Sequence, residues 1–431
     1  MPVRLDFTDA RFIYASKSYP DVPLLVDSEN RFEQIVCEYF QHLVVFEGLK
    51  TTSVKTYAQY ICLFWNYLES EGIDFRDMTD KHMIVWLNTQ EKNGVSARTR
   101  CARCDVIFDL YVWFETRGYT QYSIRIPGWN DSEKFLPRLT ATPIKRGGPR
   151  AGRSAKYGIV SAVRPAVPGG DIQETPNADE VTKLHVAAET SKSLPIAERN
   201  HLLIDWYAQV GVRRHEWSAL TLRQIPDWET IYALKEQNEA HELRLEKTKG
   251  DRARYVGVIP DLLERTREYI EGPRTELVNR FKASKGTAYA EPPEIFLSEK
   301  TGQPFNLTAI SNMVTAWFRE AEVAGHGHRL RATYLTNLFD AEIAAEEARV
   351  RAFPGTKVFI DYELILRKVA ERAGHADIGS LRPYLTLARK RRAREQGQPD
   401  PVTLQQQIDA KKQELALLEH RVNQHRKARG I

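Results

Sequence analysis

The sequence predicts a mainly α protein with a small antiparallel β-sheet, an α+β chain whose helices fall into two regions. Three observations lead there. Apolar residues recur at three- and four-residue steps through most of 31–120 and again from 178 onward. A short stretch within 230–259 alternates as strands do. A run rich in proline and glycine, 121–177, lies between the helical regions. The chain has 431 residues, enough for two or three domains. With 42% hydrophobic and 28% charged residues it can build packed cores, which excludes global disorder. No apolar run approaches the roughly 18 residues of a membrane helix, and MPVRLDFTDARF lacks the apolar region of a secretory signal. The four cysteines, Cys37, Cys62, Cys101 and Cys104, are no disulfide scaffold. A cytoplasmic protein with no membrane partner is expected.

Residues 1–30 hold a β-like stretch and a proline-containing turn, too short for a domain of their own. From 31 to 120 four helices are expected. The first carries Phe32, Ile35, Val36, Tyr39, Phe40 and Leu43 on one face and ends at Gly48. Thr51, Thr52 and Ser53 are candidate N-caps for the second, whose stripe is Val54, Tyr57, Ile61, Phe64, Trp65 and Leu68. The third runs through DKHMIVWLNTQEK, and the fourth follows Gly94. The aromatics here read as core. Residues 121–177 read as a basic linker without regular structure. Helices resume at 178. TIYALKEQ, ELRLEKTKG and ARYVGVIP then suggest a three-stranded meander, followed by helices at 260–284, 307–323, 329–346 and 358–373. The last segment, 393–431, includes an amphipathic helix at 402–425. The expected division is 1–30, 31–120, 121–177, 178–392 and 393–431.

The net charge is +5, from 62 basic and 57 acidic side chains, a weak signal by itself. Its distribution says more. Residues 139–170 carry six basic side chains and no acid, and 388–431 carry eleven basic against five acidic. A basic connector of this kind suits a phosphate backbone. Lys92, Arg98, Arg100 and Arg103 form a basic run, Lys50 and Lys55 flank a helix start, and Lys145, Arg146, Arg150 and Arg153 fall in the linker. Each of these has a plainer reading as solvated surface charge. Cys101-x-x-Cys104 has no second pair at ligand spacing, so buried thiols are expected rather than a metal.

Four segments combine basic, imidazole and hydroxyl groups: Arg213 with Glu216, Lys249, His328 with Arg331, and His375 with Tyr384. A phosphodiester under attack gains charge on its non-bridging oxygens, and arginine forks bind such oxygens while staying charged. Donors placed in advance are commonly the largest catalytic term. A tyrosine phenol is a poor nucleophile until nearby positive charge and a histidine acceptor favour its phenolate. A lysine can protonate the leaving oxygen. The set suits transfer of a DNA phosphate onto tyrosine without metal or other cofactor. His328 and Arg331 share a helix face at i, i+3, and Glu216 stands at the same spacing from Arg213, where it can hold that arginine.

These boxes resemble the tyrosine recombinase (phage integrase) family. Gly211-Val212-Arg213 with Glu216 matches its first box, and Arg213 fits better than Arg214 because it follows the Gly-apolar pair. Lys249, ahead of Arg254-Tyr255-Val256, matches the lysine of its β-hairpin, with Lys247 as alternative. His328-x-x-Arg331, Gly374-His375 and Tyr384, nine residues on, complete the set. The helical region 31–120 looks like the family's core-binding domain. Departures are Ala332 after Arg331, an insertion between Arg331 and His375, and the length of 121–177. The resemblance implies a helical core-binding domain and a catalytic domain forming a C-shaped clamp on DNA. It implies a 3′-phosphotyrosine intermediate at specific attachment or core sites and a homotetramer joining two duplexes. A directionality or accessory factor would accompany it, and integration or excision of a mobile element is the corresponding process. Residues 402–425 would dock on their own domain or on a neighbour. A DNA-binding accessory protein with a decayed site, or a type IB-like topoisomerase, are the alternatives.

Overall fold

A computed structural model describes residues 2–131, 134–144, 156–167, 174–189, 194–246, 253–352, 360–375, 377–395 and Lys411. The chain divides into two compact units, Met1–Asp171 and Ile172–Ile431. Among the described residues no helix is long and apolar enough to cross a membrane.

In the first unit, strands β1 (Arg4–Phe7) and β4 (Pro23–Val26) pair antiparallel, with the small hairpin β2 (Ile13–Tyr14) and β3 (Lys17–Ser18) between them. Val3, Val22 and Leu25 carry this N-terminal sheet into the helical core, and Asn66 holds the Val3 backbone at 2.7 and 3.1 Å. Helices α1 (Gln34–Gln41), α2 (Thr51–Glu71), α3 (Asp80–Lys92) and α4 (Ala97–Arg117) follow. Their ends obey local chemistry. Thr79 and Ser96 cap α3 and α4 by accepting backbone N–H groups, and Gly72 and Gly118 close α2 and α4 in the left-handed conformation. Two details depart from the sequence reading. The N-cap position of α2 is Lys50, so Thr51 to Ser53 lie inside the helix. Phe32 stays exposed ahead of α1 because its backbone bridges to Val26 instead of entering the helix.

The stretch read as an unstructured linker contains a β-pair, β5 (Ala141–Pro143) with β6 (Ile159–Ser161). Ile124, Ile126, Leu139 and Ile159 are fully or almost fully buried in the first unit's core, and Arg164 grips Asp105 at 2.6 and 2.9 Å. Proline and glycine interrupt regular structure here, but the apolar residues among them still anchor the chain. Glu115 organises the turn after α4. Its carboxylate accepts bonds from the Thr120 hydroxyl, the Tyr122 and Ser123 amides and the Asn130 side chain, at 2.9 to 3.1 Å.

The second unit begins with α5 (Ala178–Glu189) and α6 (Leu194–Asp205); α6 runs into a π-turn, Trp206–Val210, that ends at Gly211. The short α7 (Arg214–Ser218) follows. The meander expected next has two strands, not three: β7 (His241–Leu245) and β8 (Arg254–Val258), antiparallel with Leu245 opposite Arg254. TIYALKEQ belongs to α8 (Trp228–Gln237). Asp227 caps that helix by accepting the Thr230 N–H, Ile231 is buried, and Asn238 ends it in the left-handed conformation. The cap and the helix-favouring run Ala233 to Gln237 outweigh the three β-formers Thr230, Ile231 and Tyr232. Helices α9 (Pro260–Tyr269) and α10 (Thr275–Lys285) join through a π-turn containing Pro273, which lacks the N–H an α-helix needs there. Next come α11 (Leu307–Glu320), α12 (Gly327–Arg351), α13 (Tyr362–Ala373) and α14 (Arg382–Glu395). Of the expected helix at 402–425 only Lys411 is among the described residues, and it is helical.

Candidate active site

Gly211 sits at φ +67°, and a Cβ there would lie 2.1 Å from the Tyr334 ring, so only glycine fits between the π-turn and α12. The chain leaves it extended at Arg213 and enters α7. Glu216, the third residue of α7, reaches back to accept the Arg213 backbone N–H at 2.7 Å and its guanidinium at 2.6 Å. This is the reach-back half of a capping box; the arginine at the N-cap has no acceptor for the other half and donates its guanidinium to the same carboxylate instead. The same carboxylate accepts two bonds from Arg254, at 3.1 and 2.6 Å. Burial of Glu216 opposes its ionisation, but the bonds and charge of Arg254 and Arg213 outweigh that and hold its pKa down to about 2.

His326 caps α12, and His328 and Arg331 stand three residues apart near its start. Arg331 is 2% exposed and donates to His375 Nε2 at 2.9 Å and to the Ala373 carbonyl at 3.3 Å. Its Nη1 is buried with no partner among the described residues. Burial first, then the charges of Arg254 and Arg213, lower the Arg331 pKa to about 9, so it stays charged at neutral pH. Gly374 closes α13 at φ +60° and places His375 directly after the turn. Burial and the surrounding Arg331, Arg213 and Arg254 push the His375 pKa down to about 4, and burial and Arg331 also lower that of His328. Both imidazoles are therefore neutral near pH 7.

Arg213, His328 and Arg331 line a cavity of about 560 Å³ together with Arg214, His215 and His326. No carboxylate is among the described residues lining it. Three guanidiniums and three imidazoles around one water-accessible space make an anion site. Arg214 is turned to Ser311 at 2.8 Å, and the His215 Nε2 is buried without a partner among the described residues.

The structure joins Arg213, Glu216, His328, Arg331 and His375 by bonds or a shared cavity. It does not join Tyr384 to them. Tyr384 lies in the first turn of α14, half-buried against the cluster containing Leu335, Phe339 and Tyr334. Among the described residues no hydrogen bond links its hydroxyl to those five; it interacts electrostatically with Arg329, the neighbour of His328. Helix α14 is moored along α12 by Arg392, which pairs with Asp340 at 2.9 Å and Glu347 at 2.6 Å. Lys249 and its alternative Lys247 lie outside the described residues.

The model of the phage integrase N-terminal SAM-like domain matches residues 36–118. Among solved structures the chain is similar to the XerH site-specific recombinase bound to palindromic difH substrate in a post-cleavage complex. The identity is 16%, the match covers 84% of this chain and 82% of that one, and the TM-score is 0.51. The chain has the tyrosine-recombinase fold. A lambda integrase tetramer bound to a Holliday junction matches at 13% identity over 82% of this chain and 77% of that one, with a TM-score of 0.49. Lambda integrase residues 75–356, in a dimer bound to a COC′ core site, match at 14% identity over 82% and 94%, with a TM-score of 0.47. No curated protein matches the sequence.

Within the SAM-like domain of this tyrosine-recombinase fold, the basic residues picked from sequence differ in availability. Arg98 is exposed in the first turn of α4. Arg100 is paired with Glu91 at 2.6 Å, and Arg103 donates to Gln90 at 2.5 Å and lies over Tyr60. Lys55 is paired with Asp21 at 2.8 Å and lies over Phe7. Lys50 occupies the N-cap of α2. Lys145, Arg146 and Arg150 lie outside the described residues. Cys101 and Cys104 are buried, and burial pushes the Cys104 thiol up to about 12.

Sequence reasoning used Arg254 only to locate the lysine of the hairpin, and passed over His215 and His326. For Arg254 a signal existed. In RYVGV the apolar alternation puts Arg254 on the same face as Val256 and Val258, and a charge on the buried face of a strand needs a dedicated partner. His215 and His326 carried no pattern that marks them before their neighbours in space are known.

Proposed function

We propose that this chain is a site-specific DNA recombinase of the tyrosine class. One observation carries the reading: a cavity lined by Arg213, Arg331, His328 and further cationic or imidazole groups, with no carboxylate among the described lining residues and with the buried Arg331 Nη1 unpartnered. A phosphodiester supplies the charge and the acceptor oxygens such a site lacks. Arg213 and Arg331 bind the non-bridging oxygens. His328 and His375, neutral at pH 7, donate and accept hydrogen bonds around the phosphorus and take up the phenol proton. The Tyr384 oxygen attacks phosphorus, the bond to the 5′ oxygen breaks, and a 3′-phosphotyrosine forms. Lys249 gives its proton to the leaving 5′ oxygen. A partner strand's 5′-hydroxyl then attacks the linkage and releases Tyr384, so the bond energy is conserved and neither ATP nor metal takes part. Tyr384 interacts electrostatically with Arg329, the neighbour of His328 on α12, and the reading requires its oxygen to reach the phosphorus when DNA is bound.

Exchange between two duplexes needs four cleavages, hence a homotetramer on double-stranded DNA carrying specific attachment sites. The biological process is integration or excision of a mobile element, in the cytoplasm at the nucleoid. Residues 31–120 serve as the core-binding domain, 178–392 as the catalytic domain, and 393–431 supply subunit contacts.

The test uses nicked duplexes carrying sequences that flank the protein's own gene, incubated without metal and run on a denaturing gel. A covalent adduct is expected from the wild type and none from Tyr384→Phe. An adduct that survives Tyr384→Phe removes Tyr384 as nucleophile. Relaxation of supercoiled DNA lacking any attachment site would move the reading to a topoisomerase.

A further inference from the structure

Arg254 is 8% exposed on the inward face of β8, and its guanidinium meets three separate segments. Nε and Nη2 donate to the two oxygens of Glu216, at 3.1 and 2.6 Å. Nη2 also reaches the Gly211 carbonyl at 3.4 Å, and Nη1 donates to the Ala373 carbonyl at 3.1 Å. Each partner stands next to an anion-site group. Gly211 closes the turn ahead of Arg213. Glu216 holds the Arg213 amide and guanidinium. Ala373 ends α13 two residues before His375, and its carbonyl also accepts from Arg331. As the last carbonyl of a helix it is a natural cation partner. The seating is close: a Cβ on Gly374 would lie 2.4 Å from Arg254 Cδ.

Charge counting gives the consequence. Two guanidiniums share one carboxylate, so the cluster keeps a net positive charge. Were Arg254 absent, Glu216 would pair with Arg213 alone and neutralise it. The orphaned Ala373 carbonyl would then compete with His375 for Arg331.

We propose that Arg254 is a positioning residue that ties the Arg213 turn to the His375 turn and shares Glu216, so that Arg213 keeps charge and donors for a DNA phosphate. The inference rests on the recombinase reading of this site. Arg254 touches no substrate and acts through Arg213 and His375.

The experiment compares wild type, Arg254→Met and Arg254→Lys in the full chain. Three readouts are taken: the rate of covalent adduct formation on nicked duplex, the affinity for the same duplex, and the His375 titration followed by NMR of histidine-labelled protein. His375 faces Arg331, Arg213, Arg254, His328 and Ser380. Removing Arg254 takes away one positive charge and leaves Glu216 less compensated, and both effects raise the His375 midpoint. Arg254→Met is expected to slow adduct formation by about 100-fold, in the range seen when one preorganised donor is lost. Its DNA affinity should stay within about threefold, because phosphate contacts elsewhere dominate binding. Its His375 midpoint should rise from about 4 toward the ordinary range. Arg254→Lys restores the charge but not the three-way fork, so it should recover roughly tenfold of the lost rate. It also serves as the folded control should Arg254→Met fail to fold. Adduct formation within about threefold of wild type in a folded variant would overturn the proposal, and so would an unmoved His375 midpoint. A wild type that forms no adduct at all would overturn the recombinase reading instead, and the His375 midpoint would still decide the role of Arg254.

Discussion

Replacing Glu216 by glutamine tests the arginine cluster most directly. Glu216 is 2% exposed, and among the described residues its ion-pair partners are Arg213 and Arg254. Its pKa lies at about 2 where an ordinary glutamate stands at 4.5. At ~1.4 kcal/mol per factor of ten in acidity, ionisation of this side chain contributes about 3 kcal/mol to folding. Breaking a buried pair by removing one member costs about 3–5 kcal/mol by mutagenesis, a consistent figure. Glu216→Gln should therefore destabilise the second unit by about 3 kcal/mol near pH 7, a fall in Tm of about 6–10 °C for a unit of this size. The sign with pH follows from the lowered folded-state pKa. The contribution is complete above 4.5 and is lost as pH falls toward about 2, because the unfolded state takes up the proton first. Thermal unfolding followed by circular dichroism at several pH values checks this. The gap between wild type and variant should be widest near neutrality and should close on acidification. A gap below about 1 kcal/mol near pH 7 would refute the reasoning, as would one that ignores pH, since either would mean that Glu216 is not held by these arginines.

Three further outcomes follow from the same kind of argument. His375 is lowered from 6.5 to about 4, so its linkage stabilises the fold fully above 6.5 and is lost as pH falls from there toward 4; His375→Asn should flatten part of that acid limb in a stability–pH profile. Glu115→Ala strips four hydrogen bonds from one carboxylate and should destabilise the first unit by about 2–3 kcal/mol while the unfolding transition of the second unit stays in place, read by calorimetry. Arg98→Glu should weaken DNA binding and reduce the salt slope by about one, whereas Lys55→Ala, already paired with Asp21, should change the slope far less in titrations at several salt concentrations.

Periodicity and capping residues carried most of the helical architecture. The stripes of α1 and α2 are buried apart from Phe32 and the half-buried Ile35 and Tyr57, and the glycines that end α2 and α4 adopt the left-handed conformation their positions suggest. Two segments misled for identifiable reasons. TIYALKEQ opens on three strand-forming residues, yet the five that follow favour helix, and the Asp227 cap and burial of Ile231 against α9 make the segment one. The prolines and glycines of 121–177 mask four apolar residues that find places in a core assembled from distant helices. Local preference is weak, and burial overrides it.

At the site, the sequence by itself determined the chemistry available. Arg213, Glu216, His328, Arg331 and His375 could be named from order and spacing, because each box is local: a carboxylate reaching back over one turn, one helical turn, one glycine-closed helix end. Only the tertiary structure decided which charges share a partner. Arg254 meets Glu216, Gly211 and Ala373 across separations of 38, 43 and 119 residues. Tyr384, nine residues from His375 in sequence, sits on α14, which Arg392 moors to α12, and its electrostatic partner is Arg329. Spacing along a chain constrains distance only within an element. Between elements, packing of apolar faces sets the geometry, and the pairing of charges follows from it.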